Sequence, residues 1–160
     1  MPLTLVALSD RSDLVPVTAR WRWEAFLQGQ GRSLAEVTAT EAACAPGPMP
    51  RTFVLLADHE PVGMASLAAQ DLQTRPDLTP WLAGVYVAPP ARGRGHAVRL
   101  VEAVEAEARS RGIPILWLYT RSAEGLYARI GWETMERFSY RETMYALMRR
   151  DLFDERSSNR

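Results

Sequence analysis

A turn rich in glycine and arginine is the segment of this sequence best suited to chemistry. Residues 92–97 read RGRGHA and lie between an apolar run, residues 81–87, and a long amphipathic run, residues 95–111. The first N–H groups of a helix have no partner within the helix and lie at the positive end of its dipole, so they attract phosphate oxygens. Gly93 and Gly95 remove Cβ atoms from that approach. The turn therefore predicts a phosphate-binding or pyrophosphate-binding site.

Two interpretations of the turn need only the local residues. One is a glycine-rich connection whose arginines are solvated. The other is a dinucleotide-binding turn, because Gly93 and Gly95 begin a G-x-G-x-x-G pattern. The third glycine position of that pattern holds Val98, and no further β-α-β unit follows to complete such a sheet. The dinucleotide interpretation is therefore weak.

A third interpretation comes from a family resemblance carried by two motifs. Arg92-x-x-Gly95-x-Ala97, following an apolar run and a proline, resembles the acetyl-CoA signature of the GNAT superfamily of N-acetyltransferases, Arg/Gln-x-x-Gly-x-Gly/Ala. Residues 126–132, LYARIGW, resemble the Leu-Tyr-x-x-x-Gly-Phe segment of that superfamily. The resemblance spans residues 55–148. It implies a GNAT-like α/β fold with a mixed, mostly antiparallel central sheet, splayed strands and flanking helices, and acetyl-CoA as co-substrate.

The resemblance also implies roles for individual residues. Tyr127 would donate a proton to the leaving thiolate, since a phenol with a pKa near ~10 stays protonated at neutral pH. Without the resemblance, a packed aromatic ring is the simpler interpretation of Tyr127. Backbone N–H near Val85 would polarise the thioester carbonyl, and the side chain of His96 is expected to face solvent. The implied cofactor contacts are Val85, Val87, Arg92, Gly93, Arg94, Gly95, Ala97 and Thr120.

The sequence departs from the family pattern at two places. Thr120 stands where many members have Asn, and residues 81–87 contain no acid where many members have a Glu general base. An alkylamine with a pKa of ~10.4 is deprotonated in only about one molecule in a thousand at pH 7, so a proton acceptor or a water chain is needed. The candidate acceptors are Glu24, His59, Asp71 and Asp77, and each is also an ordinary loop or surface residue.

The acceptor of the acetyl group stays open at this point. The resemblance places the first two helices, the connection before residues 81–87 and the last strands around it. Aromatic residues in these regions suit an apolar or cationic acceptor, although packing in the core explains them as well. They are Trp21, Trp23, Phe26, Trp81 and Tyr119. The partner is expected to be a small-molecule or peptide amine.

Hydrophobic periodicity predicts the elements that position these residues. Strands are expected at residues 3–8, 52–57, 61–69, 81–87, 113–119, 132–140 and 142–148, and helices at 14–28, 95–111 and 123–130. Another helix begins after Ser33, which forms a capping box with Glu36, and ends before Pro46. Glu105 is expected to pair with Arg109 one turn along its helix. We expect one acetyltransferase domain at residues 1–150 and a charged tail at residues 151–160.

Composition narrows the function further. All 19 cationic residues are Arg, which excludes Schiff-base chemistry on lysine. The formal net charge is zero and no apolar run approaches ~18 residues, so neither a nucleic acid nor a membrane is an expected partner. The single Cys44 forms no intramolecular disulfide, and with no leader pattern it indicates a cytoplasmic protein. No metal site is predicted, and a homodimer is compatible with the composition.

The two departures keep a second class of function open. A module that binds acyl-CoA and senses it without transfer is consistent with the missing Glu and Asn. A nicotinamide or flavin oxidoreductase would rest only on Gly93 and Gly95. The principal hypothesis remains acetyl transfer from acetyl-CoA to an amine.

Overall fold

The computed structural model describes residues 2–154 and confirms the predicted α/β class. The predicted strands and helices form with ends that shift by at most a few residues. The strands are β1 Leu3–Ala7, β2 Arg51–Ala57, β3 Glu60–Ala68, β4 Trp81–Val87, β5 Ile115–Thr120, β6 Glu133–Tyr140 and β7 Thr143–Asp151. The α-helices are α1 Val15–Arg22, α2 Leu34–Cys44, α3 His96–Ser110 and α4 Glu124–Arg129.

The strands form one mixed sheet in the order β1-β2-β3-β4-β5-β7-β6. Neighbours are antiparallel except β4 and β5, which are parallel and are joined by a single residue pair, Trp81 with Trp117. Beyond Trp81 the two strands therefore diverge, and the edge of β4 that faces β5 loses its partner. The expected splayed, mostly antiparallel sheet is confirmed.

A β-bulge interrupts β4 next to this opening. Met64 of β3 lies opposite Tyr86 and Ser66 lies opposite Ala83, so two residues of β4, Gly84 and Val85, face one residue of β3. Gly84 has a φ of +60°, which a residue without a Cβ adopts readily. A Cβ at Gly84 would also approach Nη1 of Arg22 to 2.5 Å. A larger residue at position 84 would therefore adopt a disfavoured φ and displace the Arg22 guanidinium.

The first two helices form a layer on one face of the sheet. α1 continues into a π-helical turn, Trp23–Leu27, so the helix predicted over residues 14–28 is one helical segment with a wider last turn. α2 begins with the predicted capping box, in which Ser33 Oγ accepts the Glu36 N–H at 3.1 Å and a Glu36 carboxylate oxygen accepts the Ser33 N–H at 3.2 Å.

Loss of this cap should measurably destabilise the protein. Ser33→Ala is expected to lower the free energy of unfolding by about 1 kcal/mol, because one helix N–H loses its acceptor. Urea unfolding of Ser33→Ala, Glu36→Ala and the double variant measures it. Since the two side chains act together, the double variant should lose less than the sum of the single losses. An unchanged denaturation midpoint in Ser33→Ala would contradict the cap.

α3 packs its apolar stripe on the opposite face of the sheet. Leu100, Val104 and Ala108 are fully buried there. The predicted pair between Glu105 and Arg109 is wrong. Glu105 is buried, and its carboxylate accepts bonds from Arg150 and Trp132, while Arg109 Nε donates to a backbone carbonyl near the end of the chain.

The folded part of the chain extends past residue 150. β7 runs through Asp151, and Leu152 is buried with its N–H donated to the Pro114 carbonyl at 2.8 Å. Residues 155–160 of the predicted tail lie outside the described residues. Within residues 2–154, no helix is long and apolar enough to cross a membrane.

Candidate active site

A cavity of about 430 Å³ lies where the end of β4, the turn before α3 and the helix α4 meet. It gathers most of the residues that the sequence singled out. Val85, Val87, Arg92, Gly93, Gly95, Ala97 and Tyr127 line it, together with Tyr86, Ala91, His96, Val98, Ala123 and Leu126. Two expected contacts, Arg94 and Thr120, are not among the lining residues. Apolar side chains from β4 and α4 therefore face a glycine turn across one open space.

The turn presents backbone N–H groups to this cavity. Gly95 precedes α3 with a φ of +78° and Gly93 has a φ of +79°. No side chain caps the helix, and its first internal bond runs from the Arg99 N–H to the Gly95 carbonyl. The N–H groups of residues 96–98 therefore precede the internal ladder of α3. A Cβ added to Gly93 or Gly95 would meet no atom within 4 Å, so the space beside both glycines is open.

Arg92 holds positive charge at the rim of the cavity. Its Nε donates to the Val87 carbonyl at 2.8 Å, and its guanidinium lies 5.7 Å from the ring centre of Tyr86. Because the bond to the Val87 carbonyl occupies Nε, an anion would bind the two terminal nitrogens of the Arg92 guanidinium. Arg94 is exposed and lies outside this arrangement.

Tyr127 lies on the α4 side of the cavity. The residue is 7% exposed, and its ring meets Trp132 edge-on with the ring centres 6.0 Å apart. Within residues 2–154 no protein group hydrogen-bonds its hydroxyl. Burial raises the pKa of Tyr127 to about 12, because a phenolate is poorly solvated there. The group is therefore a protonated hydrogen-bond donor at every pH near neutrality.

Thr120 acts on the backbone next to α4. Its hydroxyl accepts the Ala123 N–H at 3.1 Å. This bond fixes the turn that leads into the helix bearing Tyr127. In the structure Thr120 therefore positions α4 from outside the cavity.

The expectation that His96 faces solvent is wrong. The side chain is 5% exposed, and within the described residues neither ring nitrogen has a hydrogen-bond partner. The physical reason is helical geometry. His96 lies four residues before Leu100, so it continues the buried stripe of α3. The spacing between His96 and Leu100 can be read from the sequence, but a polar side chain does not by itself indicate a buried position.

A second cavity, of about 180 Å³, lies between the α1–α2 layer and β4. Arg22 crosses it. Its Nε donates to Glu41 at 2.9 Å and its Nη2 donates to Ser66 at 3.3 Å. Ala83, the residue before the bulge, and Asp71, from the connection between β3 and β4, also line this cavity. Sequence reasoning missed Arg22 and Glu41, since no local pattern signals contacts between residues 19 positions apart.

The four candidate proton acceptors occupy very different places. Glu24 pairs with Arg20 on an exposed helix surface, and Asp77 pairs with Arg75. His59 is exposed in the hairpin turn between β2 and β3. Only Asp71, among these four, lines a cavity that reaches β4.

The predicted aromatic residues do not line this second cavity. Trp21 is buried against Tyr86, with ring centres 5.3 Å apart, and Trp81 is fully buried against Tyr119. Trp23 donates its indole N–H to a backbone carbonyl, and Phe26 is 42% exposed. Core packing accounts for Trp21 and Trp81.

Comparisons with known proteins address the family and the fold. A model of the acetyltransferase (GNAT) family matches residues 16–132. No curated protein matches the sequence. Solved structures match closely in fold. A spermidine N-acetyltransferase SpeG chimera from Vibrio cholerae and hSSAT is 17% identical, with all of both chains covered and a TM-score of 0.75.

Two further solved structures give the same result. YncA, a putative acetyltransferase from Salmonella typhimurium described with its cofactor acetyl-CoA, is 16% identical, with a TM-score of 0.72 over 97% of this chain and 96% of that one. An aminoglycoside 6'-acetyltransferase type Ii is 16% identical, with a TM-score of 0.72 over 97% of this chain and 99% of that one. At these identities the likeness establishes a shared fold.

Proposed function

Since this chain belongs to the acetyltransferase (GNAT) family, an enzyme family that uses acetyl-CoA as co-substrate, we propose that it transfers the acetyl group of acetyl-CoA directly to an amine. One observation carries the proposal. The cavity of about 430 Å³ combines helix N–H groups, a bulged strand edge and a buried phenol. The helix N–H groups would bind phosphate, the bulged strand edge would polarise the carbonyl, and the phenol would donate a hydrogen bond to the leaving group.

The turn fits the pyrophosphate of CoA. Its N–H groups at residues 96–98 and the left-handed Gly93 and Gly95 leave open space for phosphate oxygens. The terminal nitrogens of Arg92 add charge at the same rim. The apolar lining from β4 and α4 suits the pantetheine arm, which would lie along the unpaired edge of β4. Acetyl-CoA, when bound, would supply the electrophilic thioester carbon.

The bulge in β4 suits the reacting carbonyl. A bulge leaves one residue outside the regular ladder, and here that irregularity falls at Gly84 and Val85. In the proposed reaction a backbone N–H near Val85 donates to the carbonyl oxygen as negative charge develops on it. The amine nitrogen forms a bond to the carbonyl carbon, and the carbon–sulfur bond then breaks.

Tyr127 would assist departure of the sulfur. Its hydroxyl stays protonated because its pKa is raised to about 12. It therefore offers a hydrogen bond as the sulfur gains negative charge, and it can pass its proton to the thiolate. Trp132 holds the ring edge-on and Thr120 fixes the start of the helix, so the phenol is held on the cavity wall.

The acceptor is proposed to be a small-molecule or peptide amine whose amino end enters the smaller cavity. That cavity, at about 180 Å³, accommodates an amino terminus with a few carbon atoms rather than a whole aminoglycoside. Two structural neighbours are described as a spermidine N-acetyltransferase and an aminoglycoside 6'-acetyltransferase, which supports a small-molecule acceptor.

A turnover assay tests the proposed function. The protein is incubated with acetyl-CoA and, separately, spermidine, kanamycin and a tripeptide with a free N-terminus. We expect at least one amine to raise thiol release above the amine-free rate, with one acetylated amine detected by mass spectrometry for each thiol. Tight acetyl-CoA binding without transfer to any amine would favour the acyl-CoA-sensing alternative.

A further inference from the structure

The two cavities meet β4 at its bulge. The larger one is lined by Val85 and the smaller one by Ala83, so only Gly84 separates them along the strand. Arg22 lies against Gly84 from the side of the smaller cavity. A group entering the smaller cavity therefore approaches the bulge from the side opposite the phosphate-binding turn.

Asp71 is the carboxylate of this smaller cavity that is free to act on an amine. The other carboxylate, Glu41, is held by Arg22 through two hydrogen bonds of 2.9 and 3.3 Å. Within residues 2–154, no cation lies within ion-pair distance of Asp71. An incoming ammonium group would therefore find its counter-charge at Asp71.

The charged and titratable groups around Asp71 come from four parts of the fold. Arg22 faces it from α1, Glu41 from α2 and Tyr119 from β5, and Arg32 lines the same cavity from the loop before α2. Although the residue as a whole is exposed, enough protein surrounds its carboxyl group that desolvation raises the pKa of Asp71 to about 6, against the attraction of Arg22. At pH 7 roughly nine-tenths of the carboxyl groups are ionised.

We propose that Asp71 is the proton acceptor for the incoming amine, in place of the acid that β4 lacks. The proposal rests on the proposed acetyltransferase function and names the residue that makes its acceptor nucleophilic. It follows from geometry. Asp71 lines the cavity that reaches Ala83, carries an uncommitted carboxylate there, and is the one candidate among Glu24, His59, Asp71 and Asp77 with this placement.

The proton inventory balances. The Asp71 carboxylate takes one proton from R–NH3⁺, which leaves R–NH2 and a neutral carboxylic acid. The amine attacks the thioester carbon, and the resulting cationic nitrogen loses a second proton to solvent. The carbon–sulfur bond breaks, and the departing thiolate accepts one proton from Tyr127. Release of protons from Asp71 and reprotonation of Tyr127 through solvent give an amide, a thiol and one net proton.

A pH profile of kcat/KM distinguishes this step from a purely structural role. Ionised Asp71 and a protonated amine together form the reactive state, so wild-type kcat/KM should be level between about pH 6 and the pKa of the amine. It should fall tenfold per pH unit below about pH 6. In Asp71→Asn only free amine reacts, so kcat/KM should rise tenfold per pH unit up to the pKa of the amine, with no level region below it. At pH 7 it should be about 10²-fold below wild type.

The assay uses whichever of spermidine, kanamycin or the tripeptide is acetylated fastest by the wild-type protein. Asp77→Asn, in the same connection and paired with Arg75 at the surface, is the matched control and should keep the wild-type profile. Acetyl-CoA affinity of Asp71→Asn, measured by calorimetry, should match wild type. Its unfolding midpoint at pH 7 should not fall, because burial disfavours the charged form of Asp71 in the folded state and the substitution removes that charge.

The possible failures are separable. If wild-type protein acetylates no amine, the proposed function fails and the assignment of Asp71 fails with it. If the wild-type protein is active and Asp71→Asn retains both its rate and its level region, only the assignment is overturned. A loss of rate with an unchanged profile, or with weakened acetyl-CoA binding, would show that Asp71 is structural and would also overturn it.

Discussion

Replacing Tyr127 by Phe is expected to lower kcat for acetyl transfer by about 10²-fold or more, with little change in CoA affinity. The substitution removes one hydroxyl and keeps the ring that packs against Trp132. If the hydroxyl meets the leaving sulfur, its contribution arises only as charge develops there. The kinetic signature is therefore a fall in kcat without a matching rise in KM.

The matched control is Tyr140→Phe. Tyr140 is a half-buried tyrosine on β6 whose ring packs against Tyr145, away from the cavity. It should keep wild-type kcat, which excludes a general effect of removing a tyrosine hydroxyl. Calorimetry with CoA on both variants checks that the binding cavity is intact. Full activity in Tyr127→Phe would exclude Tyr127 as the acid.

Replacing Glu105 by Ala is expected to lower the free energy of unfolding by about 3–5 kcal/mol. Glu105 is 3% exposed and accepts bonds at 3.0 Å from both Arg150 and Trp132. Its removal takes away the buried carboxylate that accepts from both Arg150 Nη1 and the indole N–H of Trp132. Burial raises the pKa of Glu105, opposed chiefly by the charge of Arg150, so desolvation of this pair is substantial. Urea unfolding measures the loss.

Two companion variants separate the buried pair from ordinary helix effects. Glu102→Ala changes an exposed residue of the same helix and should shift stability by less than about 0.5 kcal/mol. The double variant Glu105→Leu/Arg150→Leu should recover much of the loss, since neither buried charge remains. If Glu105→Ala were no less stable than Glu102→Ala, the network would contribute nothing to the fold.

This network also connects stability to the site. Glu105 accepts the indole N–H of Trp132 and so orients this ring. Tyr127 packs against the same ring. Arg150 in addition donates to the carbonyl of Ile130, at the end of α4. Weakening of the pair should therefore disturb the phenol even though Glu105 lies outside the cavity.

The order of the elements could be predicted because the sequence marks their ends. Prolines follow β4, glycines flank α3, and Ser33 with Glu36 starts α2 by contacts only three residues apart. Two short motifs named most residues of the expected site, and the structure brings Arg92, Gly95 and Tyr127 to one cavity. Such signals are local, because the residues that carry them lie within a few positions of one another in the chain.

The remaining features depend on contacts that no local pattern records. Glu105 lies within one turn of Arg109, yet it bonds Arg150, 45 residues away, because its position on α3 is buried. His96 belongs to the buried stripe by spacing although its side chain is polar. Asp71 looked no different from Asp77 in the sequence, and only the arrangement of α1, α2 and β4 separates them.

The central claim, that the turn before α3 binds the pyrophosphate of CoA, is tested most directly by calorimetric titration of CoA into three proteins. Gly95 and Gly112 flank α3 with φ values of +78° and +72°, and a Cβ at either would meet no atom within 4 Å. Gly95→Ala and Gly112→Ala therefore carry similar backbone strain, and only Gly95 lines the cavity.

We predict that wild type and Gly112→Ala bind CoA with similar Kd and that Gly95→Ala binds at least about tenfold more weakly, a loss of ~1.4 kcal/mol. None of the three should bind NAD. Equal CoA affinity in all three proteins, or NAD binding without CoA binding by the wild type, would contradict the assignment of this turn.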